Sequence, residues 1–379
     1  MGREAIVVGG GIGGLAAARA LGLRGWEVAV LEKARDFGAV GAGISICPNG
    51  LRALDALGLG AVVRARALAE TTAGIRTPSG RWLSRTDTRE FERRFGPLVV
   101  LHRADLVDSL RAAVPDHALH VDTEVEEVRT VGAKVEVVHR RGTVRADLVI
   151  AADGLHSSIR TRLWPDAPRP RYVGYTAWRL VVSPPRPVRS GGETWGRGQR
   201  IGLAPLPDGR VYLYAAASVP AGQCGDEGEL AELRRRFGSW HDPIPELLAA
   251  ATESAVLRHD ILELPHLASF ANGRIALLGD AAHAMTPDLG QGANQALEDA
   301  LTLAAALDSH QETAAALAAY DRARRPRVQG IAERSHLMGA LAQRHSLPAV
   351  AARNLALRLL PGRVMLNSLA PTLDWHPPR

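Results

Sequence analysis

The sequence predicts an α/β composite. A parallel sheet flanked by helices is assembled from two separated stretches, a mixed sheet lies between them, and helices follow at the C-terminal end. Three observations predict it. A short buried strand, a Gly or Asp turn and a helix recur in that order at Ala5–Leu23, Asp147–Arg160 and Arg274–Leu307, the pattern of strands that align in one parallel sheet. Short alternating runs fill His120–Ile150 and Arg171–Ala217 and read as antiparallel strands. Helical runs Ala314–Tyr320 and Arg327–Ala342 precede a Pro-punctuated tail. On this reading residues 1–165 form the first part of the parallel-sheet domain, with a β insert at about 60–145. Residues 166–270 form the second domain, 271–330 complete the first, and 331–379 are a helical tail.

A chain of 379 residues with 46% hydrophobic and 23% charged residues fits a soluble globular protein of two cores. The net charge of +6 comes almost wholly from Arg, Lys occurring only at Lys33 and Lys134. Arg94, Arg179 and Arg235 lie in unrelated segments without interleaved aromatics, so no nucleic-acid footprint is expected. Cys47 and Cys224 are too few for a disulfide framework or metal cluster. No uninterrupted apolar run of about 18 residues occurs, so no membrane span is expected. The glycine-broken opening, with Glu4 inside it, is unlike a secretory leader. A cytoplasmic protein, monomeric or homodimeric, fits these features.

In chain order, the strand Ala5–Val8 runs straight into Gly9-Gly10-Gly11-Ile12-Gly13-Gly14 and then an apolar helix, Leu15–Leu23. Gly9, Gly11 and Gly14 stand in the G-x-G-x-x-G register, which provides a tight turn, close backbone approach to a pyrophosphate, and close helix packing. The helix N-terminus then faces the pyrophosphate. The second strand, Glu27–Leu31, ends at Glu32, about 18 residues past Gly14, where an acidic side chain accepts bonds from ribose hydroxyls. These features predict an adenosine-diphosphate ligand such as FAD or NAD.

The stretch Gly41–Leu59 reads as a loop opening onto a helix capped by Asn49. Leu98–Leu110 is an extended piece that turns helical at Arg103, where a cation opposes the helix dipole and so points to a ligand. Asp153-Gly154 follows the buried strand Asp147–Ala151, and Asp153 is a candidate N-cap of the helix carrying Ser157, Ser158 and Arg160. In Arg274–Ala300, the strand Ile275–Leu278 breaks at Gly279-Asp280. Pro287, Gly290 and Gly292 then keep a loop tight before the next helix. Asp280 is placed to hold a hydroxyl chain, and the helix start at Gly292–Asn294 to face a ring that gains negative charge. The plain alternative for each is an ordinary connection or cap.

Taken together, GGGIGG with Glu32, DLVIAADGLHSSIR and RIALLGDAAHAMTPDLGQGANQALEDA resemble, in order and spacing, the class A FAD-dependent monooxygenases, the single-component aromatic hydroxylases. The resemblance extends to about Arg327. It implies a Rossmann-like FAD-binding domain with a mixed-sheet substrate domain. It also implies FAD as cofactor and NADH or NADPH as a transient cosubstrate, consistent with the single G-x-G-x-x-G. Gly9, Gly11, Gly13, Gly14, Glu32 and Lys33 would hold the ADP half, and Arg103 the flavin or its phosphates. Asp153 and Gly154 would lie where the two cofactors meet, Asp280 at the ribityl or pyrophosphate, Pro287 beside the reacting flavin edge, and Gly290, Gly292, Ala293 and Asn294 over the pyrimidine end.

Within the family, YVGYTAW, Arg200 and Tyr212 resemble the FAD-dependent urate hydroxylases, alongside salicylate- and hydroxybenzoate-hydroxylase-like enzymes. Arg200 would neutralise an anionic urate or phenolate and Tyr212 would bond or stack on it. The implied reaction is hydroxylation of an electron-rich aromatic or heteroaromatic small molecule by NAD(P)H and O2 through a C4a-hydroperoxyflavin. Tyr175, Tyr212, His283 and Arg200 are the candidate reacting-side groups, with Pro287 beside them, and the base is left open. The same fold also admits an epoxidase or tailoring oxygenase on an isoprenoid or polyketide, a flavin dehydrogenase or reductase, and a non-enzymatic dinucleotide-fold scaffold.

Overall fold

The structure is a computed structural model and describes residues 2–38, 42–69 and 73–378. The first residue of the Gly41–Leu59 stretch therefore lies outside the described residues. The sheet that organises the molecule has six strands in the order Ala271–Asn272, Ile275–Leu277, Leu148–Ala151, Glu4–Val8, Glu27–Leu31 and Leu119–His120. All neighbours are parallel except the first pair. Register places Val8 beside Ala151 and Ala151 beside Leu277, so the three recurring strand–turn–helix units open side by side on the carboxyl edge, where open α/β sheets bind ligands. These strands are buried on both faces, with Val7, Val149, Ile150 and Ala276 inaccessible, which is why their sequences run apolar without alternating.

The segment 125–146 is an antiparallel meander of Val125–Val131, Lys134–His139 and Gly142–Ala146, as its alternation predicts. A second, seven-stranded sheet runs in the order Leu257–Glu263, Arg171–Val182, Val211–Ala217, Gln199–Pro205, Gly192–Trp195, Ala73–Arg76 and Trp82–Thr86. The last two strands come from the stretch read as an insert of the nucleotide-binding half. They extend the edge of the other sheet instead, through the parallel pairing of Glu193 with Ile75.

Period-two alternation gives this sheet two unlike faces. Trp178, Leu180, Ile201, Leu213 and Ala215 form one, covered by the helices Glu229–Phe237 and Ile244–Ala250 through Leu233, Phe237 and Leu247. Each buried Leu or Phe there contributes about 1.5–3 kcal/mol. Tyr175, Arg179, Arg200, Tyr212, Tyr214 and His259 occupy the other face, as their cross-strand pairing requires.

The helix Gly292–Ser309 packs on Ile12–Gly22 and on the 30-residue helix Thr313–Ala342. The latter joins the two predicted helical runs into one. Pro326 sits inside it, and the bond lost there is offset by Arg324 and Arg327, which anchor that turn to Glu298. The predicted tail is two further helices, Leu347–Leu359 and Gly362–Leu373. Cys47 is buried, Cys224 is exposed, and both are free thiols.

Candidate active site

The glycine loop is shaped by what surrounds each residue. Gly9 has φ +105°, and a Cβ there would come within 2.3 Å of the Ala152 carbonyl oxygen, so only glycine joins the first strand to its loop. A Cβ on Gly14 would meet the Gly9 carbonyl at 1.9 Å, and one on Gly13 would meet Leu278 at 2.7 Å. These two glycines serve helix packing. Gly11 is different: its surroundings are open, and it is the N-cap of a helix start with no side-chain cap and no acidic residue in its first turn. Free N–H groups at such an end attract a phosphate.

Glu32 closes the loop, its carboxylate accepting from Gly10 N at 2.6 Å and Ala34 N at 2.8 Å. Lys33 beside it is exposed. Arg103 opens the helix Arg103–Arg111 as predicted, bonds Ala42 O through its backbone N–H and leaves its side chain exposed.

Asp153 follows the neighbouring strand but does not cap the next helix. Ser157 does, accepting from Arg160 N at 2.9 Å, because it alone lies three residues before that N–H. Asp153 Oδ2 accepts from Ile159 N at 3.3 Å, while Oδ1 is buried without a partner among the described residues. Burial raises the Asp153 carboxyl above its usual range despite bonds from Ser157 and Ile159. Gly154 has φ +82° and open space around it. Buried Arg160 ties this loop to the third one by donating to Leu155 O and Ala281 O at 2.6 and 2.8 Å.

In the third unit, Asp280 is exposed and lies 3.9 Å from where a Gly292 Cβ would be. Its carboxylate thus stands at the start of Gly292–Ser309, another helix end with no side-chain cap. Pro287 and Gly290 are exposed, Gly290 is left-handed with φ +61°, and Gly292 and Ala293 are half-buried. The open glycines at 11, 154 and 290, the two uncapped helix ends and the unpartnered Asp153 oxygen fit a bound dinucleotide lying across all three strand ends.

Asn294 stands in the first turn of the helix Gly292–Ser309. It is fully buried, and its side chain staples Cys47 N (3.0 Å) to Gly290 O (2.7 Å). Only its backbone is left for a ligand. Asn49 is no cap: Cys47 is the N-cap and Pro48 the first helical residue, while Asn49 Nδ2 donates to Glu298 at 2.7 Å and Gln291 at 3.0 Å.

A buried charge network missed in the sequence lies behind this edge. Arg324 donates to Asp299 at 2.6 Å, to Gln295 at 2.7 Å and to Glu298, and Arg327 reaches Glu298 at 2.8 Å. Asp299 also accepts from Gly279 N at 3.0 Å and pairs with His283 Nε2 at 2.6 Å. His283, expected on the reacting side, is thereby turned inward, 3% exposed against Phe270. Burial opposes the Asp299 charge, but His283 and Arg324 outweigh it and hold the carboxyl down at about 2.

The polar sheet face closes the site from the other side. Arg200 is 3% exposed and pairs with Asp288, with Glu193 at 3.7 Å. Burial disfavours its charge, yet Glu193 and Asp288 more than offset this and keep it firmly protonated. Arg200 is therefore no free cation awaiting an anion. Tyr175 donates to Asp288 at 2.7 Å and Tyr214 to Glu193 at 2.8 Å. Burial, then Asp288, pushes the Tyr175 hydroxyl well above its ordinary pKa. Gly339 admits the Asp288 carboxylate, which would lie 2.5 Å from a Cβ there. Tyr212 is 8% exposed and lies under Gly43, whose Cβ would fall 2.5 Å from the ring. Burial raises its hydroxyl pKa, while Arg179 beside it and Arg103 act in the opposite sense.

Over residues 3–335 the chain matches a family described as FAD binding domain. The aurachin C monooxygenase/isomerase of Stigmatella aurantiaca is 36% identical over 364 residues, covering 95% of this chain and 94% of that protein. A FAD-dependent urate hydroxylase of Klebsiella pneumoniae is 33% identical over 344 residues, covering 86% and 87%. The crystal structure of K. pneumoniae HpxO complexed with FAD and uric acid superposes with a TM-score of 0.92 at 29% identity, covering 98% of this chain and 97% of that one. The chain belongs to the FAD-binding-domain family and, within it, to the class A FAD-dependent monooxygenases.

Proposed function

We propose that this FAD-dependent monooxygenase takes its electrons from NADH or NADPH and hydroxylates a fused heteroaromatic or phenolic ring that binds uncharged. The observation that carries the uncharged-ring reading is the Arg200–Asp288–Glu193 cluster. One buried cation faces two carboxylates, so a further anion would gain little there, whereas a ring N–H or O–H would find an acceptor in Asp288. Bound FAD supplies hydride acceptance and oxygen activation. Gly11, Gly154, Asp280 and the Gly292 helix end would hold it, and Gly9, Gly13, Gly14 and Glu32 shape the loop that would receive its ADP half. Lys33 and Arg103 add positive charge at its rim. Pro287, Gly290, Ala293 and the Asn294 backbone would line its ring, and the helix dipole would favour negative charge there.

A ring N–H or O–H that reaches the Asp288 carboxylate, buried between Arg200 and Tyr175, would donate to it and gain electron density at the carbon to be attacked, while Arg200 fixes the carboxylate. Tyr175, held neutral, orients it from the opposite oxygen. Tyr212 and the apolar patch of Ala177, Ala216 and Ile261 exclude water. His283 positions the Gly279 turn through Asp299.

The test is oxidation of NADH and of NADPH by the flavin-loaded protein with urate, hydroxybenzoates and 4-hydroxyquinolines, measuring peroxide alongside. A neutral quinoline or phenol that speeds oxidation with little peroxide supports the reading. Stimulation by urate alone overturns the uncharged-ring assignment. Stimulated turnover without incorporation of labelled O2 into product overturns hydroxylation.

A further inference from the structure

The helix Leu347–Leu359 is inside out. Leu347, Ala351, Leu355 and Leu359 recur every four residues, one continuous stripe of a helix, and that stripe faces solvent. Leu347 is 65% exposed, Leu355 56% and Leu359 70%, with Leu360 and Val364 continuing it into the next helix. The residue it buries is a cation. Arg353 is 3% exposed, donates to Ala342 O at 2.8 Å and Gly196 O at 3.0 Å, and lies over the Trp195 ring. Folding of this chain alone gains nothing from three leucines left in water.

The charge of the segment that carries the stripe is of one sign. From Arg334 to Leu373 the sequence contains no Asp or Glu, while Arg344, Arg358 and Arg363 are exposed along it. We propose that this face lies on an anionic lipid surface, with the leucines in the acyl boundary and the arginines at the headgroups. Among the described residues no helix is long and apolar enough to cross a membrane, so the contact is along the surface. A second copy of the chain fits the face poorly, because a twofold contact sets the same arginines against each other across a segment, 334–373, that has no Asp or Glu of its own. The helix is anchored to the strand end that carries Trp195, next to Arg200, so a protein seated this way holds its substrate sheet beside the lipid.

The test is co-sedimentation of the flavin-loaded protein with vesicles of phosphatidylglycerol and phosphatidylcholine, and with phosphatidylcholine alone. The expected result is binding to the anionic vesicles that weakens with salt. It should fall at least tenfold in the variant Leu347→Ser/Leu355→Ser/Leu359→Ser, and again in Arg344→Gln/Arg358→Gln/Arg363→Gln. Because all six side chains are exposed, both variants should keep the wild-type flavin content and melting temperature, which confirms that they are folded. Absence of binding to anionic vesicles overturns the proposal. So does a wild-type dimer by light scattering that the leucine variant makes monomeric.

Discussion

Replacing Arg324 by Met removes the cation that two fully buried carboxylates share. Glu298 keeps Arg327, Asn49 and Gln295, but among the described residues Asp299 retains only His283 and the Gly279 N–H. Breaking a buried pair from one side costs about 3–5 kcal/mol, because the remaining charge is left in a low-dielectric interior. An unfolding entropy of about 2.1 cal/mol/K per residue over 379 residues gives roughly 0.8 kcal/mol/K. The melting temperature should therefore drop by about 4–6 °C. The damage should also reach the cofactor edge, since Asp299 holds the Gly279 turn that presents Asp280. Differential scanning fluorimetry with the 450 nm to 280 nm absorbance ratio after gel filtration reads both effects. Adding Asp299→Asn to Arg324→Met should return part of the lost stability, because the uncompensated charge is then gone. A melting temperature within about 1 °C of wild type, or a double variant less stable than Arg324→Met by the full Asp299→Asn cost, would refute the argument.

Other expectations follow from the same geometry. Asp299 is held down at about 2, against about 3.9 unfolded. Its stabilisation, about 2–3 kcal/mol, is present above pH 4 and lost as pH falls toward 2. Asp299→Asn should flatten the acid limb of a stability–pH curve over that window. Asp280→Ala should lower flavin affinity by about tenfold, read by fluorescence titration of the apoprotein, at an unchanged melting temperature for the apo form, because the carboxylate is exposed. Asp288→Asn should cut kcat at least a hundredfold with flavin content intact, whereas Tyr175→Phe should cost less than tenfold, since it removes an orienting bond only. Burial pushes the Cys47 thiol up to about 12, so a maleimide on the folded protein should label Cys224 alone, detected by mass spectrometry.

The parallel sheet was legible because each of its three units carries its own local code of buried run, turn and helix, and parallel pairing of such units needs no further information. The meander and the substrate-sheet strands were legible from period two for the same reason. What escaped were partners far apart in sequence. Asn49 stands where a helix cap belongs, yet its amide is consumed by Glu298, 249 positions away. Asp153 precedes a helix as a cap does, but Ser157 sits three residues before the N–H to be satisfied. The two runs flanking Pro326 read as separate helices, since nothing local shows that Arg324 and Arg327 both clamp that turn to Glu298. The edge strands 73–76 and 82–86 are too short to declare which sheet they join. In the helix 347–359 the apolar stripe was readable, but its outward direction was not, since periodicity marks a face without saying what covers it.

Arg200 shows most directly how an unseen partner changes a functional reading. Seen in RIGLAPL alone, it is a cation on a strand facing a pocket, and an anionic substrate is the natural inference. Its charge is answered by Asp288, which belongs to the loop between Thr286 and Gly290 and so to the third strand–turn–helix unit of the parallel-sheet domain. The pair therefore links the two sheets, and separating them to admit an anion would strand Asp288 beside Tyr175 with no cation. Arg200→Gln separates the two readings. If Arg200 served an anionic substrate, KM should rise with kcat little changed. If it positions Asp288, kcat should fall with KM nearly constant, and Arg200→Lys, which keeps a cation within reach of the carboxylate, should recover part of the rate.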